Sequence, residues 1–233
     1  MKYETLGSSS LQISRIVHGC MELGGGPWDV RTDAENAALL RAALEHGVTA
    51  FDTAESYGGG HSEEVVGAAL APVRDKVVLC TKVSKEHLRK ADVLAACEGS
   101  LRRLKTDYID IYQFHNPASM PSDEMLSCMV KAKAQGMIRH IGVTAHRLDT
   151  ALAEIESGAF ETMQFPLSAL SSEKDLDLVR LCKEKNMGVI GMKGLAGGLL
   201  TSAAPSMAYL RRFDNLVPIW GIQRESELQE VLE

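Results

Sequence analysis

The sequence predicts a (β/α)8 TIM barrel with a short N-terminal β-hairpin, on three observations. Eight apolar runs alternate with eight stretches of helical periodicity. The runs are continuous rather than alternating in polarity, as strands are when helices cover the sheet. The 233 residues, 45% of them hydrophobic, supply one sizeable core and show no composition break at which a second unit would begin. Eight units favour a closed barrel over an open doubly wound sheet, which stands as the alternative. Residues 1–233 are therefore expected to form a single domain.

Each element has its own signal. Lys2 to Ser14 reads as a hairpin folded around GSSS. The run SRIVHGC (14–20) is the first barrel strand, followed by a loop and the helical TDAENAALLRAALEHG (32–47). There Thr32 and Glu35 form a T-x-x-E capping box and Gly47 supplies the stop. Strand VTAFD (48–52) leads to helix SEEVVGAAL (62–70), and VVLCTKV (77–83) to KADVLAACEGSLRRLK (90–105). YIDIYQFH (108–115) leads to SDEMLSCMVKAKAQG (122–136), and RHIGVTA (139–145) to RLDTALAEIESG (147–158). TMQFPL (162–167) is paired with EKDLDLVRLCKEKNMG (173–188), and GVIGMKGL (188–195) with the short helical PSMAYLRRF (205–213). The last unit is LVPIWGI (216–222) with SELQEVLE (226–233).

Composition narrows the function classes. A formal net charge of -6, from 25 basic and 31 acidic residues, offers no basic stripe for a phosphate backbone, so nucleic acid is not an expected partner. No apolar run approaches the roughly 20 residues needed to span a bilayer, and MKYETLGSSS has no charged-then-apolar leader, so no membrane partner is expected. Cys20, Cys80, Cys97, Cys128 and Cys182 are scattered without a C-x-x-C pair, which fits reduced thiols in a cytoplasmic protein. The seven histidines form no H-E-x-x-H or H-x-H, and no metal is expected. What remains is a small-molecule ligand.

In a barrel the active site lies at the C-terminal ends of the strands. The polar residues ending the strands are Asp52, Lys82, His115, Thr144, Gln164 and Lys193, and Tyr57 follows Asp52 by five residues. Neighbouring strands lie about 4.8 Å apart, so groups from the second, third and fourth strands can meet through long side chains. Such a cluster has a readable chemistry. Tyr57 would give a proton, and an ammonium at Lys82 would favour the phenolate and lower the phenol's pKa. Asp52 would keep Lys82 charged, and His115 would donate to a carbonyl oxygen. A proton donor beside a polarised carbonyl still needs reducing equivalents, which points to hydride from a nicotinamide. The bland alternative is that Asp52 caps a turn before Gly58 to Gly60 and the others are loop-edge residues.

The segments FDTAESYGGGHSEEVVGAAL, the TK of VVLCTKV, YIDIYQFH and RHIGVTA resemble the aldo-keto reductases, in register from KYETLGSSSLQIS to the eighth strand. The resemblance implies that Asp52, Tyr57, Lys82 and His115 form a catalytic tetrad, with tyrosine as general acid in the reduction of an aldehyde or ketone. It implies NADP(H), less often NAD(H), across the barrel mouth. Gly19, Cys20 and Met21, then Asp52, Thr144 and Gln164, would contact it, Gln164 meeting the nicotinamide carboxamide. Met192, Lys193, Gly194, Leu195, Gly197 and Gly198 would follow the pyrophosphate, although Lys193 reads equally as a solvated rim charge. Beyond the eighth strand, Gln223, Arg224 and Glu227 are candidates for the adenosine end. Arg224 either pairs a 2′-phosphate or is an ordinary exposed arginine.

Trp28, in the GGGPWDV loop, offers a wall of the substrate pocket beside Tyr57 and His115, or a lid. The Cys20 thiol is either oxidation-sensitive or a small buried hydrophobe. Family members usually exceed 300 residues and carry two further helices and a C-terminal loop. Glu233 lies inside the helix expected after the eighth strand, so the chain reads as a compact variant or as one cut before a further segment, such as the iron-sulfur extension of related reductases. Two other functions fit the same residues: a nicotinamide-sensing regulatory subunit, and a Schiff-base lyase using Lys82 or Lys193.

Overall fold

The computed structural model describes residues 1–25, 31–88 and 90–232. Strands β1 (Tyr3–Thr5) and β2 (Gln12–Ser14) pair antiparallel as the expected hairpin, with Tyr3 opposite Ser14. Their connection carries Leu6, which with Ile13 is buried against Val17, Ala50, Val78, Cys80, Ile111, Ile190 and Val217. The hairpin thus closes the floor of the barrel with apolar side chains.

The barrel is closed and its neighbouring strands are parallel, in the order β10-β3-β4-β5-β6-β7-β8-β9. Its strands are β3 (Val17–Gly19), β4 (Ala50–Asp52), β5 (Val78–Val83), β6 (Ile109–His115), β7 (Ile138–Thr144), β8 (Thr162–Pro166), β9 (Gly188–Met192) and β10 (Leu216–Gly221). Closure, rather than the open sheet, lets every strand find two partners, so the sheet has no exposed edge. The second apolar layer lies outside the sheet, where Phe51, Tyr112, Phe114 and Met163 are buried beneath the helices.

Among the described residues seven helices connect the barrel strands, α1 (Asp33–Glu45), α2 (His61–Leu70), α3 (Lys90–Leu104), α4 (Asp123–Ala134), α5 (Leu148–Ser157), α6 (Glu173–Glu184) and α7 (Ala203–Leu210), and an eighth, α8 (Glu225–Leu232), follows β10. The Thr32–Glu35 capping box opens α1 as expected. Gly47, at φ +89°, accepts the left-handed turn that stops it. A second reciprocal box, Ser172 with Asp175, opens α6. Short 3-10 turns at Tyr57–Gly60, Ala71–Lys76, Lys85–His87 and Ala196–Gly198 carry no apolar period and were not legible as elements. No described helix is long and apolar enough to cross a membrane.

The register places the site. Gly19 pairs with Asp52, Asp52 with Cys80, and Lys82 with Gln113. His115 pairs with Thr144, and Thr144 with Gln164. Because side chains alternate along a strand, Val78, Cys80 and Lys82 share the inner face of β5, and Ile111 and Gln113 the inner face of β6. The apolar members fill the floor, and the polar ones lie above them toward the C-terminal end, buried beneath the site.

Candidate active site

Lys82 is fully buried, which a lysine tolerates only with partners. Its Nζ donates to Asp52 Oδ1 at 2.5 Å, to the Thr53 carbonyl at 2.7 Å and to the Tyr57 hydroxyl at 3.4 Å. The Tyr57 ring meets His115 edge-on, with centroids 5.7 Å apart. Asp52 and Tyr57 therefore meet at one ammonium, and His115 joins the cluster through the Tyr57 ring.

Their protonation follows from burial and charge. Burial alone would lower the Lys82 pKa, but the charge of Asp52 and the nearby Tyr57 outweigh it and raise it, so Lys82 stays an ammonium. Burial raises the Asp52 carboxyl, and Lys82 offsets part of that rise. Tyr57 departs from expectation: burial raises its pKa, and the lowering by Lys82 offsets only part. The phenol is thus held protonated at neutral pH. His115 is pushed down to about 3, first by burial and then by Lys82 and His146, so its imidazole is neutral. Its Nδ1 lies 3.2 Å from Ser56 Oγ. The tautomer that accepts there carries its proton on Nε2.

The loop holding Tyr57 is built from glycines for a steric reason. Gly58, Gly59 and Gly60 all have positive φ, and a Cβ on Gly58 would lie 2.0 Å from the Gly24 carbonyl oxygen. The Tyr57 turn therefore rests directly on the backbone of the turn after β3. From behind, Glu55 accepts from the Ser84 amide at 2.6 Å, and Glu63 takes Arg103 Nε at 2.6 Å and Thr81 Oγ1 at 2.5 Å. These buried acids tie the loop to the end of β5.

A cavity of about 610 Å³ opens beside this cluster. Its walls include Asp52, Tyr57, Lys82 and His115, with Gly19, Cys20 and Met21 on one side and Thr144 and Gln164 on another. Met192, Lys193, Gly194, Leu195, Gly197 and Gly198 form the remaining rim. Lys193 is exposed, with a left-handed φ of +59°. Thr144 Oγ1 accepts from the Asn116 amide at 2.8 Å, tying the loops after β6 and β7 together. Cys20 is fully buried and its thiol is pushed up by burial and by Asp52, the state of an inert thiol rather than a reactive one.

Three of the candidates, Gln223, Arg224 and Glu227, do not line this cavity. Glu227 is instead bound to the Gln223 amide at 2.7 Å, and Arg224 is exposed ahead of α8. Trp28 lies outside the described residues. Conversely, Glu22, His146, Ile219, Trp220 and Gly221 line the cavity without having been singled out. Trp220 ends an apolar run, which hides whether its ring faces core or cavity. Its ring occupies the space over Gly194, where a Cβ would come within 2.6 Å of Cζ3.

The walls suit a nicotinamide dinucleotide at its nicotinamide and pyrophosphate parts. Gln164 supplies an amide, Thr144 a hydroxyl, and Gly197, at φ +69° with open space beside it, leaves its backbone amide approachable by an anion, while the Gly198 amide donates to the Leu195 carbonyl at 3.0 Å. Among the described residues no group of His, Cys, Asp and Glu could hold a metal.

Comparison with known proteins bears on the family and the fold. The aldo/keto reductase family profile matches residues 15–232. The chain is 32% identical over 212 residues to the aldo-keto reductase YhdN of Bacillus subtilis, covering 86% of this chain and 64% of that relative's length. It superposes on the thermostable aldo-keto reductase Tm1743, crystallised with the inhibitor epalrestat, with a TM-score of 0.88 and 30% identity, covering 100% of this chain and 93% of the other. An aldo/keto reductase from Klebsiella pneumoniae in complex with NADP and acetate gives a TM-score of 0.86 at 29% identity, covering 100% of this chain and 89% of that one.

Proposed function

The chain belongs to the aldo/keto reductase family, and we propose that it reduces an aldehyde or ketone to the alcohol using NADPH, with Tyr57 as the proton donor. The observation that carries this reading is Lys82 Nζ in contact with both Asp52 and the Tyr57 hydroxyl inside the cavity wall. NADP bound to the similar Klebsiella protein supports the choice of cofactor.

A reduced nicotinamide supplies the hydride when bound. The chain's own residues handle the oxygen. A neutral His115 donates to the substrate carbonyl from Nε2 and orients it, and the Tyr57 hydroxyl supplies the proton as negative charge grows on that oxygen. The incipient phenolate lies 3.4 Å from the Lys82 ammonium, so the charge left on Tyr57 is met by a donor already in place. Asp52, buried beneath, keeps that ammonium charged. Gln164 and Thr144 would hold the carboxamide, and Gly194 and Gly197 the pyrophosphate.

The same charge weighs against a Schiff-base role for Lys82, because an amine nucleophile must be neutral and Asp52 holds this one protonated. Transfer of deuterium from C4-deuterated NADPH to the carbonyl carbon of an aldehyde tests the reading. Deuterium in the alcohol supports it; NADPH binding with no transfer to any of a broad set of aldehydes and ketones opposes it.

A further inference from the structure

Gln113 lies beneath the site, on β6 two residues before His115, and is fully buried. Its amide nitrogen is 3.0 Å from Gln164 Oε1 and 3.4 Å from Asp52 Oδ2, while its own oxygen has no partner among the described residues. A purely structural core position gains nothing from an unsatisfied buried oxygen, which costs about 1–3 kcal/mol.

The polarity of this contact is fixed by charge. An ionised carboxylate only accepts, so the end of Gln113 facing Asp52 is its NH2. Turned over, the amide would set its oxygen against both Asp52 and the oxygen of Gln164. Asp52 is itself pinned by Lys82. Orientation therefore passes from Lys82 to Asp52, to Gln113, and on to Gln164. With its oxygen held by Gln113 at 3.0 Å, Gln164 keeps its NH2 end for the cavity that it lines.

We propose that Gln113 is a positioning residue that turns the NH2 end of Gln164 toward the bound nicotinamide, so that the site reads the oxygen of the carboxamide rather than its NH2. The inference rests on the nicotinamide reading of the cavity. It does not require turnover, because it concerns which end of an amide a ligand meets.

The test measures dissociation constants of NADP⁺ and of its 3-acetylpyridine analogue, in which a methyl ketone keeps the oxygen and removes the NH2. Both are titrated into the full chain, as wild type, Gln113→Leu and Gln113→Glu, with thermal melting to check the fold. Wild type is expected to bind the two within about threefold. Gln113→Glu adds a carboxyl beside Asp52 that stays protonated, since two adjacent carboxylates do not both ionise. Its hydroxyl takes the place of the Gln113 NH2, which faces both Asp52 and Gln164; the single O–H donates to Asp52, and the lone pairs of that oxygen then face the Gln164 oxygen, which turns that amide over. Preference for NADP⁺ over the analogue should then rise by about three- to tenfold, the worth of one neutral hydrogen bond, with Gln113→Leu in between.

An unchanged ratio in both variants overturns the inference, as does a wild-type preference for NADP⁺ above about tenfold, which can be read even if a variant fails to fold. If wild type binds neither NADP⁺ nor NADPH, the nicotinamide reading fails and the inference falls with it; binding with an unchanged ratio removes the inference alone.

Discussion

Replacing Asp52 by Asn keeps the side chain's size and one acceptor while removing the charge that pairs with Lys82. Lys82 is 0% exposed, and its remaining partners are the Thr53 carbonyl at 2.7 Å and the Tyr57 hydroxyl at 3.4 Å, both neutral. Breaking a buried pair on one side costs about 3–5 kcal/mol. With the charge of Asp52 gone, burial is the dominant influence left on Lys82, and it brings the lysine below its ordinary value near 10.4.

The sign of the pH dependence follows. In the wild type the folded Lys82 pKa is raised, so its contribution is fully present below the unfolded pKa and is lost only as pH rises through the higher folded value. In Asp52→Asn the folded pKa lies below the unfolded one, the unfolded chain binds more protons between them, and stability relative to wild type rises with pH. Denaturant midpoints or melting temperatures at about pH 6 and about pH 10 measure this. The expected gap is about 3–5 kcal/mol at the lower pH, or roughly 6–20 °C for a chain of this size, and it should narrow at the higher. A gap below about 1 kcal/mol at both pH values, or one that does not narrow, would refute the reasoning.

Two further outcomes follow from other groups. Glu154 on α5 is fully buried, neither oxygen has a partner among the described residues, and burial pushes its carboxyl up to about 8. The folded chain then holds a proton that the unfolded chain has released, so stability falls as pH rises between the two pKa values; Glu154→Gln should remove that fall and stabilise the protein by about 1–3 kcal/mol near pH 9, read from melting curves across pH. His115, with its pKa near 3, should show no titration between about pH 5 and 8 by NMR of its ring, and His115→Ala should lower turnover by about 10²-fold without moving the pH profile in that range.

The strand ends were legible because a charged or polar residue closing a continuous apolar run has no covalent reason to be there; Asp52, Lys82, His115, Thr144 and Gln164 all reach one cavity. Gln113 was hidden inside a run, though the period of two that places Ile111 on the inner face would have carried it to the same side. Ser56 and Glu55 carry no pattern at all. Their partners, His115 and Ser84, are brought near by closure of the barrel rather than by spacing. Gln223, Arg224 and Glu227 also follow a strand end in sequence, but they do not line this cavity, because the chain turns into α8 there and Glu227 binds the Gln223 amide. The lowered phenol pKa expected for Tyr57 counted the neighbouring charge and omitted burial, which is the larger effect here.

The most direct measurement is turnover and NADPH affinity of Tyr57→Phe, which removes one oxygen and leaves the ring against His115 and Lys82. Turnover should fall by about 10²–10⁴-fold, the range for losing a general acid, while the NADPH dissociation constant stays within about threefold. A Tyr57→Phe enzyme that keeps wild-type turnover with unchanged NADPH affinity would contradict Tyr57 as the proton donor.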